Sequence, residues 1–245
     1  MNSESSVNKE PLKYKWSHHN ALHIKLVKTF NAIVKYFPWN FKYKVVWLIN
    51  GNSYPYRLLS VGDIVVQVGA PVDTMNTGRS RAIQLANCVG ENGQVLVVEP
   101  DENSSEKIEN LKRKGKLPQV VFENSGAWSE KTSLDLYIND EHPASNFTGQ
   151  ARQYEEEVMA KYRKVTMPVD SIDNLAEKHS LKVKLVSITT NGAETEILKG
   201  MERLISGGLQ YICLARTGEG YHEEMSKYGF KLLAYDDRGY TYVKE

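Results

Sequence analysis

The sequence predicts an α/β protein, a doubly wound seven-stranded sheet that is mostly parallel and closes in an antiparallel hairpin, with a helical appendage ahead of it. Three observations predict this. From Asp63 onward, short β-branched runs alternate with helical stretches, the pattern of a parallel sheet with crossover helices. Two of these runs end in residues suited to a ligand: Asp63-Ile-Val-Val-Gln-Val-Gly-Ala70 closes on glycine, and Gln94-Val-Leu-Val-Val-Glu-Pro-Asp101 on an acid. The last two apolar runs flank Asp236-Asp237-Arg238-Gly239, a hairpin turn by composition.

The elements follow in order. Residues 1–60 form a basic appendage, and 61–245 the main domain. Residues 1–11 are polar and expected to be disordered. Leu22, Leu26, Phe30, Ile33 and Phe37 recur at helical spacing with Lys25, Lys28 and Lys35 opposite, an amphipathic helix that should stop near Pro38. In the domain, strands are expected at 63–68, 94–99, 119–124, 133–138, 163–169, 183–189 and 209–215. Helices are expected at 79–89, 102–114, 171–179, 193–205 and 219–228. Residues 139–150 read as a loop, and Lys231–Tyr235 and Tyr240–Lys244 as the closing hairpin. Asp170 is the expected cap of the helix at 171–179, with Asp173 three residues on.

The charge is unevenly placed. The first 62 residues hold nine lysines and arginines against two glutamates, a net of +7, which leaves −6 for the rest of a chain of net +1. A basic front end suggests contact with an anionic surface such as a membrane through residues 22–49, or docking onto the acidic body. Cys88 and Cys213 are far apart in apolar segments, with no disulfide framework and no metal-type spacing. No signal pattern and no spanning apolar run is present, so a cytoplasmic protein, peripheral at the membrane, is expected. Nothing resembles a nucleic-acid-binding motif.

A strand ending in Gly69 lets the backbone turn tightly against a ligand, and Glu99 at the end of the next strand offers a carboxylate to a pair of ribose hydroxyls. Together they point to a nucleoside-containing cofactor across two strand ends. The other role open to Glu99 is capping the helix after Pro100.

Five stretches, taken in order, resemble the FkbM-type methyltransferase family. They are Gly62-Asp63…Gln67-Val68-Gly69-Ala70, Val98-Glu99-Pro100-Asp101, Ala127-Trp128-Ser129-Glu130, Val169-Asp170-Ser171-Ile172-Asp173, and Asn191-Gly192-Ala193-Glu194…Ile197-Leu198-Lys199-Gly200. The resemblance implies a class I methyltransferase-like fold and methyl transfer from S-adenosylmethionine to an acceptor oxygen on a glycan, a lipid-linked glycan or a small molecule. Gln67, Gly69, Ala70 and Glu99 would hold the cofactor, with Ser125, Gly126 and Ala127 along its adenine edge. In the loop after Gly69, Asp73 offers an acceptor to the cofactor's ammonium and Arg79 or Arg81 a charge to its carboxylate, the other reading of these residues being an N-capping loop with no ligand. This chain departs from the family at Gln67, where an acid is usual, after Gly69, where a second glycine is usual, and at Thr189 and Asn191, where two acids are usual.

A hydroxyl acceptor needs a base, whereas a carboxylate arrives already ionised. With the two acids replaced, either the acceptor is a carboxylate or a base comes from elsewhere. Glu194 and His142 are the candidates, and Thr189, Thr190 and Asn191 would orient the acceptor. Glu194 also reads as a helix-first-turn acid and His142 as a solvated loop residue. Two rival functions stay open: a non-catalytic binding or scaffold protein with this fold, and a nicotinamide-dependent oxidoreductase, which Gly69-Ala-Pro-Val-Asp-Thr serves poorly as a dinucleotide fingerprint.

Overall fold

The computed structural model describes residues 12–13, 29, 33, 36–51, 53–140, 143–150, 155–215, 220–236 and 239–245. The expectations for residues 1–11, for most of the helix at 22–37 and for His142 lie outside them.

The main sheet is built from β2 (Ile64–Val68), β3 (Gln94–Val98), β4 (Val120–Glu123), β9 (Leu185–Ile188), β10 (Tyr211–Leu214), β11 (Phe230–Asp236) and β12 (Gly239–Lys244). Their order is β4-β3-β2-β9-β10-β12-β11, and a two-residue strand β1 (Leu12–Lys13) lies parallel to β11 at that edge. Six of these strands run in the same direction, and β12 alone is antiparallel, pairing with β10 and β11. This is the class I methyltransferase sheet. The chain winds outward from β2 through β3 to β4, then returns to β9 on the other side. The β2/β9 boundary is therefore the topological switch point, where open α/β sheets leave a crevice beyond the strand ends.

The central strands are buried on both faces, which is why they read as unbroken apolar runs. One face packs Val66, Leu96, Val186 and Ile212 on α6 (Ile172–Lys178) and α7 (Glu194–Lys199). The other packs Val65, Val95 and Leu185 on α3 (Arg81–Val89) and α4 (Glu102–Arg113). α1 (Trp39–Asn50) joins this second face through Tyr43 and Trp47. Pro38 thus precedes a helix rather than ending the order of the appendage, because proline's fixed φ suits a helix start. No described helix is long and apolar enough to cross a membrane.

Three local expectations are corrected. The helix expected from 79 begins at Arg81, and a five-residue helix α2 (Val72–Asn76) occupies the loop before it. The single helix expected at 193–205 is two, α7 and α8 (Glu202–Ser206). Gly200 lies between them, where a side chain would come within 2.2 Å of the Trp128 carbonyl oxygen, so the close approach of that segment requires glycine. The cap of α6 is Ser171, which accepts from the Asn174 N–H. Asp173 reaches across to α8 instead, accepting from the Arg203 and Leu204 N–H groups at 2.8 Å each.

A second, four-stranded sheet is inserted between β4 and α6: β5 (Gly126–Ala127), β6 (Thr132–Ile138), β7 (Phe147–Thr148) and β8 (Arg163–Asp170), in the order β5-β8-β6-β7. The alternating residues Leu134, Leu136 and Ile138 of β6 pack on Met167 and Val169 of β8. Residues 147–148, expected within a loop, pair with Leu136 and Tyr137.

Candidate functional site

A cleft with about 650 Å³ of open space, its solvent mouth included, lies beyond the carboxyl ends of β2, β3 and β9. Its floor is Val68, Gly69, Val98, Glu99, Gly126 and Ala127, and the second sheet supplies a wall of Leu136, Phe147 and Met167. Thr189, Thr190 and Asn191 form the end over β9. Glu99 is the only ionisable side chain lining it among the described residues.

Two strand ends build the near side. Gly69 has a φ of +81°, and a side chain there would come within 2.5 Å of the Thr189 carbonyl oxygen. The glycine therefore answers first to the neighbouring strand end and second to a ligand. Because the chain turns there, the Ala70 N–H donates to Glu99 Oε2 at 2.5 Å, and the Asp101 N–H donates to Oε1 at 2.9 Å. Burial pushes the Glu99 carboxyl up to about 7, with the two amides pulling the other way and Asp101 and Asp73 adding repulsion. Each carboxylate oxygen keeps a second acceptor direction. Glu99 does not cap the following helix: Asp101 does, accepting from the Ser104 N–H at 2.8 Å.

At the far side the motif residues are occupied by the protein itself. The Thr189 hydroxyl lies 2.8 Å from the Val68 and Gly69 carbonyls and the same distance from Gln67 Nε2. Gln67 is fully buried and bonds those same carbonyls, so it stiffens the turn from beneath and is not part of the cleft lining. Asn191 donates both amide hydrogens outward, to the Ala144 and Asn146 carbonyls at 2.8 Å each, pinning the turn at 143–146 over the cleft. Glu194 is buried and turned away, accepting from the Tyr221 hydroxyl at 3.0 Å.

The remaining expected residues divide. Ala70 contributes its amide, and Gly126 and Ala127 lie on the cleft floor, where a side chain at Gly126 would meet Val169 and Met167. Ser125 and Thr190 each bring a buried hydroxyl with no protein partner, one beside the floor and one at the β9 end. Asp73 spends an oxygen on the Thr74 N–H of its own short helix. Arg79 is exposed and reaches only Thr77, so it is not gathered into the cleft. The wall residues Leu136, Phe147 and Met167 were not foreseen as site residues. Their signal was the alternation in 133–138, which marked a strand without saying that its buried side faces a ligand.

No family model matches the chain, and no curated protein sequence matches it. Among solved structures it is similar to the methyltransferase FkbM from Methylobacillus flagellatus, with a TM-score of 0.48 and 13% identity over 91% of this chain. It spans 59% of that chain's length. A methyltransferase from Geobacter sulfurreducens gives a TM-score of 0.43 and 11% identity over 94% of this chain and 92% of that one. The fibrillarin of Aeropyrum pernix, crystallised with natively bound S-adenosyl-L-methionine, gives 0.39 and 14% over 81% and 72%. Likenesses this distant say nothing of the reaction, and the fold stands on its own strand order.

Proposed function

We propose that this chain is an S-adenosylmethionine-dependent O-methyltransferase of the FkbM type, acting on a glycan, a lipid-linked glycan or a small molecule. One observation carries the reading. A buried carboxylate, Glu99, is held by the Ala70 and Asp101 amides beside the Gly69 turn, at the switch-point end of two adjacent parallel strands. The free acceptor directions of Glu99 suit two ribose hydroxyls, and the side-chain-poor floor of Gly126 and Ala127 suits a flat base. The unpartnered hydroxyls of Ser125 and Thr190 give a polar ligand two further bonds to make.

When bound, S-adenosylmethionine supplies an electrophilic methyl group on a sulfonium. The chain's own share is alignment and exclusion of water, to which the apolar wall of Leu136, Phe147 and Met167 is suited. Glu194 lies outside the cleft lining with one oxygen on Tyr221, and Asn191 is committed to the 143–146 turn, so the acceptor is either already ionised or loses its proton to a base elsewhere.

The same commitment favours a second reading, a binding protein with this fold and no turnover. Calorimetric titration with S-adenosylmethionine, S-adenosylhomocysteine and NAD separates the cases. Binding of the first two and transfer of labelled methyl to a cell extract supports the enzyme. Binding without transfer supports the binder, and absence of binding removes both. For residues 22–49 we propose peripheral contact with an anionic membrane, drawn from the net +7 of the first 62 residues and the exposed Tyr36 and Phe41. Failure to float with anionic liposomes at low salt would overturn it.

A further inference from the structure

The loop between Gly69 and Gly78 is held at both ends by other parts of the chain. At its front the Val72 N–H donates to Ser104 Oγ of α4 at 2.9 Å. At its back the last two carbonyls of α2, those of Met75 and Asn76, receive two side chains from α1, and the Met75 carbonyl also accepts from the Gly78 N–H at 3.2 Å. The Lys42 ammonium donates to the Asn76 carbonyl at 2.7 Å, and the Tyr43 hydroxyl donates to the Met75 carbonyl at 2.8 Å. A cation at a helix C-terminus is also the favourable sign for the helix dipole. Lys42, Tyr43 and Met75 are buried, so the Tyr43 bond is shielded from water, whereas the Lys42 bond ends on the exposed Asn76 and is shielded only in part. Lys42 and Tyr43 lie more than twenty residues before the loop in sequence, within the basic first 60 residues.

We infer that Lys42 and Tyr43 are positioning residues for the nucleoside site: by clasping the end of α2 they fix the Gly69–Gly78 loop, and with it the Ala70 amide on Glu99. The inference rests on the proposed reading that this loop borders the cofactor. It makes the appendage a working part of the cleft. The front of the loop is tied to the sheet by the Gly69 N–H on the Val98 carbonyl and by Thr189 and Gln67 on the Gly69 carbonyl. The side-chain bonds made within 72–78, Thr74 Oγ1 to the Pro71 carbonyl and Thr77 Oγ1 to the Asp73 carbonyl, stay local, so the far end is held from outside by Ser104, Lys42 and Tyr43.

The test uses the full chain as Lys42→Met, Tyr43→Phe, the pair together and Lys42→Arg, each checked for folding by circular dichroism. S-adenosylhomocysteine is titrated calorimetrically, and amide exchange of residues 72–78 is measured on ligand-free protein. The expected result is about tenfold weaker binding by the double variant, with a smaller loss in each single one. Exchange at 72–78 should be faster in the ligand-free double variant, and Lys42→Arg should restore both readouts. If the double variant fails to fold, the single variants decide by the same criteria. A lower melting temperature with unchanged affinity marks a merely structural role and overturns the inference. So does weaker binding with unchanged exchange at 72–78. If the wild type itself does not bind S-adenosylhomocysteine, the proposed function fails and the inference falls with it, a result distinct from equal binding by wild type and variants.

Discussion

The two ends of the cleft are built from the same kind of material and do different things. At the β2/β3 end, the residues that carry the strand-end pattern turn towards the open space: Gly69 makes the turn, and Glu99 waits under two amides. At the β9 end, the equivalent residues turn into the protein. Thr189 bonds the Gly69 turn, Asn191 bonds the 143–146 turn, and Glu194 bonds Tyr221. One end keeps its motif carboxylate for a ligand; at the other, Thr189, Asn191 and one oxygen of Glu194 are spent on the scaffold, and the Thr190 hydroxyl alone is left to the cleft. A motif residue's side chain goes to whichever partner the tertiary structure brings nearest, and the β9 end has more such partners.

The sharpest way to break this contrast is Glu99→Ala. It leaves two buried amides unpaired and should cost about a hundredfold in S-adenosylhomocysteine affinity, read by calorimetry. Affinity within a factor of three of wild type would mean the two ends do not differ. Next comes Gly69→Ala. A left-handed φ and the Thr189 carbonyl together should cost about 2–4 kcal/mol of stability in chemical denaturation.

The pH dependence tests the same end at comparable size. Glu99 ionises at its ordinary value in the unfolded chain but only near 7 in the folded protein. Between those values the folded state holds the extra proton. Its contribution is therefore fully present at low pH and is lost as pH rises through about 7, a fall of about 3 kcal/mol. Glu99→Gln should remove this component, so the wild-type-minus-variant stability difference should slope across pH 4.5–7 and be flat above. A flat difference throughout would show the carboxyl is not buried as described. The smallest effect belongs to the other end. Asn191→Ala should cost about 1 kcal/mol, since the freed Ala144 and Asn146 carbonyls sit where water can replace the amide. Amide exchange at Asn146 should quicken while nucleoside affinity changes less than threefold.

Some of this was legible before any coordinates. Val65, Val66 and Val68 around a lone Gln67 announce a buried strand, and Gly69 and Glu99 sit where the strands must end. The need for glycine at 200 was not legible, because the atom that excludes a side chain there is the Trp128 carbonyl oxygen, some seventy residues away. The target of Asp173 was hidden for the same reason. Its position after Ser171 has the look of a helix start, yet its carboxylate is taken by α8. Gln67 was read as a cofactor contact because it stands where an acid is usual. Its side-chain nitrogen is instead held below the turn by the Val68 and Gly69 carbonyls and by Thr189, a residue 122 positions on.

What the sequence determined by itself was the succession of strands and helices and the two strand ends that face each other, because hydrophobic period and chain-reversing residues are local properties. Which polar side chains reach the open cleft was decided only by the tertiary structure. Each of them must satisfy its hydrogen bonds somewhere, and the competing partners at Thr189, Asn191 and Glu194 come from segments that only folding brings together.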